Sequence, residues 1–514
     1  MNHRTHSRPL DVHTWSGHAE INLLVDRMWS ALGGARQSAL TPKGNRQGTQ
    51  PKRLLKVLLV HLYATYLDDP TLWTGVPRSK NSYVPTSRYN QLHISFKIVP
   101  IIDYLIELDY VDFVNGSNDR THNGWHSFTS RIRPSRILQA EFGKCTATLF
   151  DINKHHNEVA VILSDFDTDV EGNLITRRGK KLRKLIEYDD TPETQRMELE
   201  LKAYNELLRN TYIDIGTLEI AYIDRQTKKG NQRVPINQTN KFVRRIFSRG
   251  SWTLNGRYYG GFWQQVGAEH RKHILINDMP TIEVDYKGIH PSILSINRGK
   301  TFNGYDVGRE LLPNLTKEQQ RKAIKLLVLT AINASSKSQA YKAYRSSSDI
   351  SLKDYELDVL LMGFLKLNPH LKEDLFTDRG IELMYQDSKI VEYVINKFTQ
   401  AGVPILSVHD SFLIQHNKVL DLKRYMIEGS EAVLGTALDF DQDYYDYTEA
   451  VQFRHLDIDY YNTLMSQLPK VVRTYRYETT YNKFKLWIER NDFSRKPYTN
   501  IEGWIGQKVS KYSK

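Results

Sequence analysis

The chain has 514 residues, 40% of them hydrophobic, with 71 Lys and Arg against 59 Asp and Glu, a formal net charge of +12. That length suggests two to four structural units, and no apolar run approaches membrane-spanning length. A single cysteine, Cys145, excludes a disulfide framework and a cysteine-built zinc site and points to a soluble protein of a reducing, intracellular compartment.

The opening residues Met1–Arg8 are polar and lack the apolar core of a secretory signal. Net positive charge favours a polyanionic partner, because each phosphate contact releases condensed counterions. The charge concentrates in Arg177–Lys184, Lys241–Arg249 and Lys470–Lys514, and 30 Tyr and 18 Phe are available for stacking on bases.

In chain order, residues 1–52 read as a helix, Glu20–Leu32, and a polar, Gly-containing linker to Gln50. Residues 53–140 begin with a helix at Leu54–Tyr66. A second helix is expected at Val99–Leu108, where Ile101, Ile102, Leu105 and Leu108 form a stripe and Pro100 suits the first turn. A strand at Tyr110–Val114, a turn at Asn115-Gly116 and a return strand near Trp125–Ile132 follow, with Arg131 and Arg133 at its end. Helices leading into a hairpin look like a winged helix, which docks a helix on duplex DNA and lays its wing on the backbone. Any small α+β domain is the alternative. Residues 141–241 are mixed and include a charged helix, Glu193–Arg209. Residues 242–457 carry the candidate chemistry. Residues 458–514 form a basic, Tyr-rich extension with a helix at Tyr481–Arg490, either a nucleic-acid contact or a packed tail.

Four segments stand out. In Thr281-Ile-Glu-Val-Asp285-Tyr286-Lys-Gly-Ile-His290 an alternating strand ends at Asp285 and a helix starts by Ile289. A carboxylate at a strand end, beside a free carbonyl of Tyr286, suits a hard divalent cation, although a lone Asp there is more often a cap. In Pro404-Ile-Leu-Ser-Val-His409-Asp410-Ser411-Phe-Leu-Ile two apolar runs flank a His-Asp pair, as in a hairpin with Asp410 at its tip. A charge interrupting a buried strand needs compensation, which a metal or a neighbouring Arg supplies. The third segment is the helix containing Arg321, Lys325, Thr330 and Asn333, at i, i+4, i+9 and i+12. It is read as carrying these residues near one face, with a basic stripe that attracts an anion such as a nucleoside triphosphate. In Asn255-Gly256-Arg257-Tyr258-Tyr259-Gly-Gly, three glycines allow close backbone approach beside Arg257 and aromatic rings.

Together, in the order Gly-Arg, Asp285, Arg321/Lys325 and Asp410, these segments resemble the polymerase core of family A DNA polymerases and phage-type single-subunit RNA polymerases. The Asp285-Tyr286 segment looks like motif A and Val408-His409-Asp410-Ser411-Phe412 like motif C. Arg321-xxx-Lys325 with Asn333-Ala334 looks like motif B, where the family usually has Tyr-Gly at the last two places. Gly256-Arg257-x-Tyr259 is similar to the segment that touches the template–product hybrid, with Thr253 where the family has Asp. The resemblance runs from Phe242 to Glu449.

It implies an α+β fold: a right-hand palm and fingers core at 242–457, built from an antiparallel sheet with helices. A thumb-like region at 141–241 and the winged-helix-like unit at 53–140 would precede it. It implies two Mg²⁺ ions, with Mn²⁺ as substitute, held by Asp285, Asp410 and the Tyr286 carbonyl. Lys325 would act on the departing phosphates, Arg321 would bind the triphosphate, and His409 would hold the hairpin tip or meet the primer end. Tyr286, His290, Thr330 and Asn333 would line the nucleotide, with Arg257, Tyr259 and Gln386 on nucleic acid. Gln386 would precede a helix at Lys389–Thr399. A bulky His290 five residues after Asp285 argues for deoxynucleotides, whereas Thr330 and Ser411-Phe412 are closer to the RNA polymerases. The leading expectation is a DNA-dependent DNA polymerase of a phage, plasmid or mobile element, cytoplasmic and nucleoid-associated, acting on primed DNA template and nucleoside triphosphates. An RNA polymerase or primase is the first alternative. A non-catalytic DNA-binding initiator or defence protein with a relic palm is the second.

Overall fold

The computed structural model describes residues 6–41, 49–121, 124–168, 171, 174–177, 180–227, 230–308, 310–442, 457–467 and 471–491. Helices and several sheets mix in an α+β arrangement. Buried apolar side chains gather into one core running from Ile21 to Ile152, a larger one from Ala160 to Leu438, and a small third cluster.

The first core is wrapped by the helices Ala19–Ala31, Thr49–Asp68 and Ile98–Glu107. Beside them lies a sheet in the order Ser7–Pro9, Trp73–Val76, Ser130–Pro134, Val111–Val114. The segment expected as a linker carries a further helix, Gly33–Leu40. Asn115-Gly116 is not the hairpin turn. The ribbon continues through Ser117–Thr121 paired with Gly124–Phe128, and a Cβ at Gly116 would lie 2.6 Å from Phe128 O and 2.9 Å from Ser130 N, so only glycine fits there. The helix Ile98–Glu107 contains no Lys or Arg, and its Asp103 and Glu107 are paired with Arg78 and Arg36. Arg131 is bonded to Ser7 and the Thr129 carbonyl, and Arg133 to Asp112. These groups are committed within the protein, so this helix offers no cation to a phosphate.

The second core holds two sheets. One runs Arg183–Leu185, Val161–Phe166, Val243–Ser248, Ser251–Gly260, with Val161–Phe166 parallel to Val243–Ser248. A strand from before residue 241 therefore sits inside the sheet that begins the chemical region, and the boundary expected at 241/242 does not break the core. The other sheet is antiparallel, in the order Ile213–Ile215, Ile274–Ile276, Met279–Tyr286, Ser411–Gln415, Ile405–Val408, and Phe440–Gln442 also pairs with Met279–Tyr286. The helix Gly380–Gln400 packs on the strand Ser251–Gly260 and on the helix Val419–Leu434.

The basic run Lys241–Arg249 is structural. Lys241, 4% exposed, donates to the carbonyls of Arg209 and Thr211, and burial pulls its ammonium down to about 7. Arg244 pairs with Glu158, Arg245 with Glu392 and Arg249 with Asp378. The tail helix is longer than expected, Tyr475–Asn491. It is packed: Tyr477, Phe484 and Trp487 are buried, and Arg476 forks onto Asp214. Residues 492–514, the rest of that basic tail, lie outside the described residues. Among the described residues no helix is long and apolar enough to cross a membrane.

Candidate active site

Strand alternation builds the site. Ile282, Val284 and Tyr286 face the core, so Glu283 and Asp285 project together from the other face of Met279–Tyr286. Asp285 lies opposite Ser411 on one side and opposite Asp441 on the other. Val408 pairs with Ser411, which leaves His409 and Asp410 as a two-residue turn at the hairpin tip. Asp410 is thereby carried next to Asp285. His409 takes φ 60°, a left-handed conformation uncommon for a residue with a side chain. Its ring meets Tyr259 edge-on at 6.2 Å between centroids.

The carboxylates feel each other. Burial, then the charge of Asp410, pushes the Asp285 carboxyl up to about 7, against the pull of Lys325 and with Glu283 and Asp441 adding to the rise. Such a pair calls for a cation. The Lys287 N–H bonds across the sheet to Asp439 O, so alternation turns the peptide groups of Tyr286 to the side of the strand that carries Asp410. The Tyr286 ring points the other way, with its hydroxyl donating to the Met426 carbonyl at 2.6 Å. The Tyr286 side chain is therefore not available to a ligand beside Asp285. No group of three or more His, Cys, Asp or Glu with metal-holding geometry occurs among the described residues. Two carboxylates and a carbonyl suit Mg²⁺, which keeps several waters and completes its shell with substrate phosphates.

Beside these acids runs the helix Lys317–Ile332, started by a capping box between Thr316 and Gln319. Ala323, Ile324, Leu327, Val328, Ala331 and Ile332 are buried, which fixes the helix's rotation and leaves Arg321 and Lys325 exposed. Neither has an ion-pair partner within 4 Å among the described residues, while Lys322 next to them is paired with Glu318. The expected four-residue face does not hold. At about 100° per residue Thr330 stands roughly 180° from Arg321, and its hydroxyl donates to the Leu327 carbonyl. Asn333 caps the helix, donates to the Leu329 carbonyl and packs on Gly380 at the start of the next long helix.

A buried polar network lies beneath the hairpin. Arg257 Nε is 3.0 Å from both oxygens of Asp387, and His290 Nε2 is 2.9 Å from Asp387 Oδ2 and 3.1 Å from Arg257 Nη2. Asp387 is 0% and His290 4% exposed. Burial opposes, and the Asp387 carboxylate more than restores, the charged form of Arg257, with Asp410 adding to it. Arg257 is thus committed to an ion pair rather than held free for a phosphate. Tyr259 donates to Asn255 at 3.0 Å. Gln386 lies within the helix Gly380–Gln400, six residues past its first residue rather than ahead of it, and its Oε1 is buried without a partner.

Sequence reasoning missed Glu283, Arg271 and Asp387. Glu283 accepts from Ser411 at 2.7 Å and from Arg271 through two bonds of 3.0 Å. The period-two alternation that selected Asp285 would have selected Glu283 as well. Asp387 had no local signal. No known protein-family profile matches the chain, and no curated protein matches its sequence.

Proposed function

We propose that the chain is a template-directed nucleotidyltransferase, a DNA-dependent DNA polymerase of a phage, plasmid or other mobile element. The observation that carries the reading is the meeting of Asp285 and Asp410 from distant parts of the chain, near the helix that carries Lys325 and Arg321, which have no ion-pair partner among the described residues. The antiparallel sheet with a carboxylate-tipped hairpin supports assigning it as a palm, and the helix Lys317–Ile332 as part of the fingers.

In this reading Asp285, Asp410 and the Tyr286 carbonyl would hold two Mg²⁺ ions, which when bound would supply Lewis acidity to the attacking 3′-hydroxyl and charge to the leaving pyrophosphate. The residues of the chain do the rest. Arg321 receives the triphosphate, and Lys325 sets charge or a proton on the departing pyrophosphate. Asp285 must be deprotonated to take part, and Lys325 favours that form. Glu283, fixed by Arg271, positions Ser411 and with it the hairpin tip.

Synthesis from ribonucleotides is a second reading, and one observation favours it. His290 is buried and bound to Asp387, so its imidazole serves the interior rather than a barrier to a 2′-hydroxyl. Extension of a labelled primer–template with dNTPs and NTPs side by side separates the two. DNA synthesis predicts elongation with dNTPs that disappears in Asp410→Ala. DNA binding with no product under either nucleotide set would leave only a non-catalytic role.

A further inference from the structure

Tyr305 lies in the irregular segment between the helices Ile289–Asn297 and Lys317–Ile332 and is 8% exposed. Its ring is clamped: Phe302 meets it edge-on at 5.1 Å and Phe364 stacks at 6.1 Å with 24° between planes. The loop that carries it is tied to the neighbouring helix by Gln320, whose side-chain oxygen accepts from the N–H groups of Leu311 and Leu312. The hydroxyl end reaches Gly288, the left-handed residue (φ 51°) three positions after Asp285. A Cβ at Gly288 would lie 3.0 Å from the Tyr305 oxygen and 2.9 Å from Phe302. The ring needs that glycine in order to approach the strand end.

No hydrogen bond of the Tyr305 hydroxyl occurs among the described residues, and its oxygen is not one of the buried side-chain atoms left without a partner, so the buried ring presents an accessible O–H. Beyond the burial itself, the charges acting on Tyr305 are those of Asp410, Arg321 and Asp285, which sets the ring at the same cleft. The carboxylates can only accept and Arg321 can only donate, so the O–H does not donate to Arg321 and remains a donor for an acceptor that enters the site. A clamped O–H and the Arg321 guanidinium, which has no ion-pair partner among the described residues, can both donate to one anion.

We propose that Tyr305 is a nucleotide-binding residue whose hydroxyl donates a hydrogen bond to the triphosphate of the incoming nucleotide, alongside Arg321. This rests on the nucleotidyltransferase reading for the identity of the substrate, but the chemistry it asks for is a polyphosphate anion. A single charge-assisted bond of this kind is worth about a tenfold change in affinity.

The test compares the full-length wild type with Tyr305→Phe, which keeps the ring and its packing and removes only the hydroxyl. Two measurements are made: primer extension against dATP concentration, and calorimetric binding of dATP and of inorganic tripolyphosphate in the presence of Ca²⁺. The expected result is a roughly tenfold rise in KM for dATP and in both dissociation constants, with kcat within about threefold of wild type and melting temperature unchanged. Equal KM and equal binding in the two proteins would overturn the proposal while leaving the polymerase reading intact. Weaker binding to Tyr305→Phe with no extension by wild type would keep the site and remove the polymerase reading. Failure of the wild type to bind either polyphosphate would remove both.

Discussion

Asp285 and Ser411 face each other across the antiparallel strands Met279–Tyr286 and Ser411–Gln415. A slip of one residue in that register would turn the apolar partners of both strands out of the core. The burial of Ile282, Val284, Phe412 and Ile414 therefore fixes the place of Asp410 beside Asp285. Core packing, rather than any contact between the two acids, sets the geometry of the site.

Asp285→Asn and Asp410→Asn are each expected to lower primer extension by at least about a thousandfold, the scale at stake when a centre of charge stabilisation is lost. Neither should unfold the protein, since each removes a charge from a like-charged pair. Extension assays paired with thermal melts check this. A variant that melts well below wild type would instead make the carboxylate a structural group.

The pH dependence has a definite sign. With its folded-state pKa near 7 and an ordinary Asp near ~4 in the unfolded chain, Asp285 binds a proton on folding between those two values. Its unfavourable contribution is absent below about pH 4, grows as the pH rises, and is complete above about 7. Asp285→Asn should therefore raise the stability of the metal-free protein at pH 8, by on the order of 1–3 kcal/mol, and leave it little changed at pH 4. Urea unfolding at the two pH values measures the difference. An equal gain at both would contradict the like-charge account.

Arg321→Ala and Lys325→Ala remove exposed cations with no ion-pair partner among the described residues. Stability should change by no more than about 0.5 kcal/mol. Kinetics should separate them: Arg321→Ala raises KM for the nucleotide, whereas Lys325→Ala lowers kcat, by roughly ten- to a hundredfold. Steady-state extension at varied nucleotide concentration distinguishes the two effects.

Asp387→Ala strands the Arg257 guanidinium without its buried partner. A loss of about 3–5 kcal/mol is expected, the range for breaking a buried pair from one side. Asp387→Ala combined with Arg257→Met should recover part of it. A chemical-denaturation double-mutant cycle measures the coupling, and additive losses would show that the pair contributes nothing beyond its members.

The legible part of this protein was its local patterning. Strand alternation found Asp285 and the hairpin around Asp410, and helical spacing found the long helices near Val99 and Glu193 within a few residues. Features that depend on distant partners were hidden. The run Lys241–Arg249 reads as a nucleic-acid footprint until Glu158, Glu392 and Asp378 are seen to occupy its arginines. His290 reads as a pocket wall until Asp387, far along the chain, is seen beneath it. The strand Val161–Phe166 joins its sheet in parallel across a long insertion, so no sequence spacing marks it as a neighbour of Val243–Ser248. The half-turn between Arg321 and Thr330, by contrast, follows from the helical period alone and was open to correction without coordinates.

The most direct test of the central claim is Mn²⁺ binding followed by electron paramagnetic resonance at pH 8, with wild type, Asp285→Asn and Asp410→Asn compared. Shared coordination predicts a bound-Mn²⁺ signal in wild type that weakens at least tenfold in affinity in each single variant. Undiminished binding in either variant would mean that the two carboxylates do not hold a cation together.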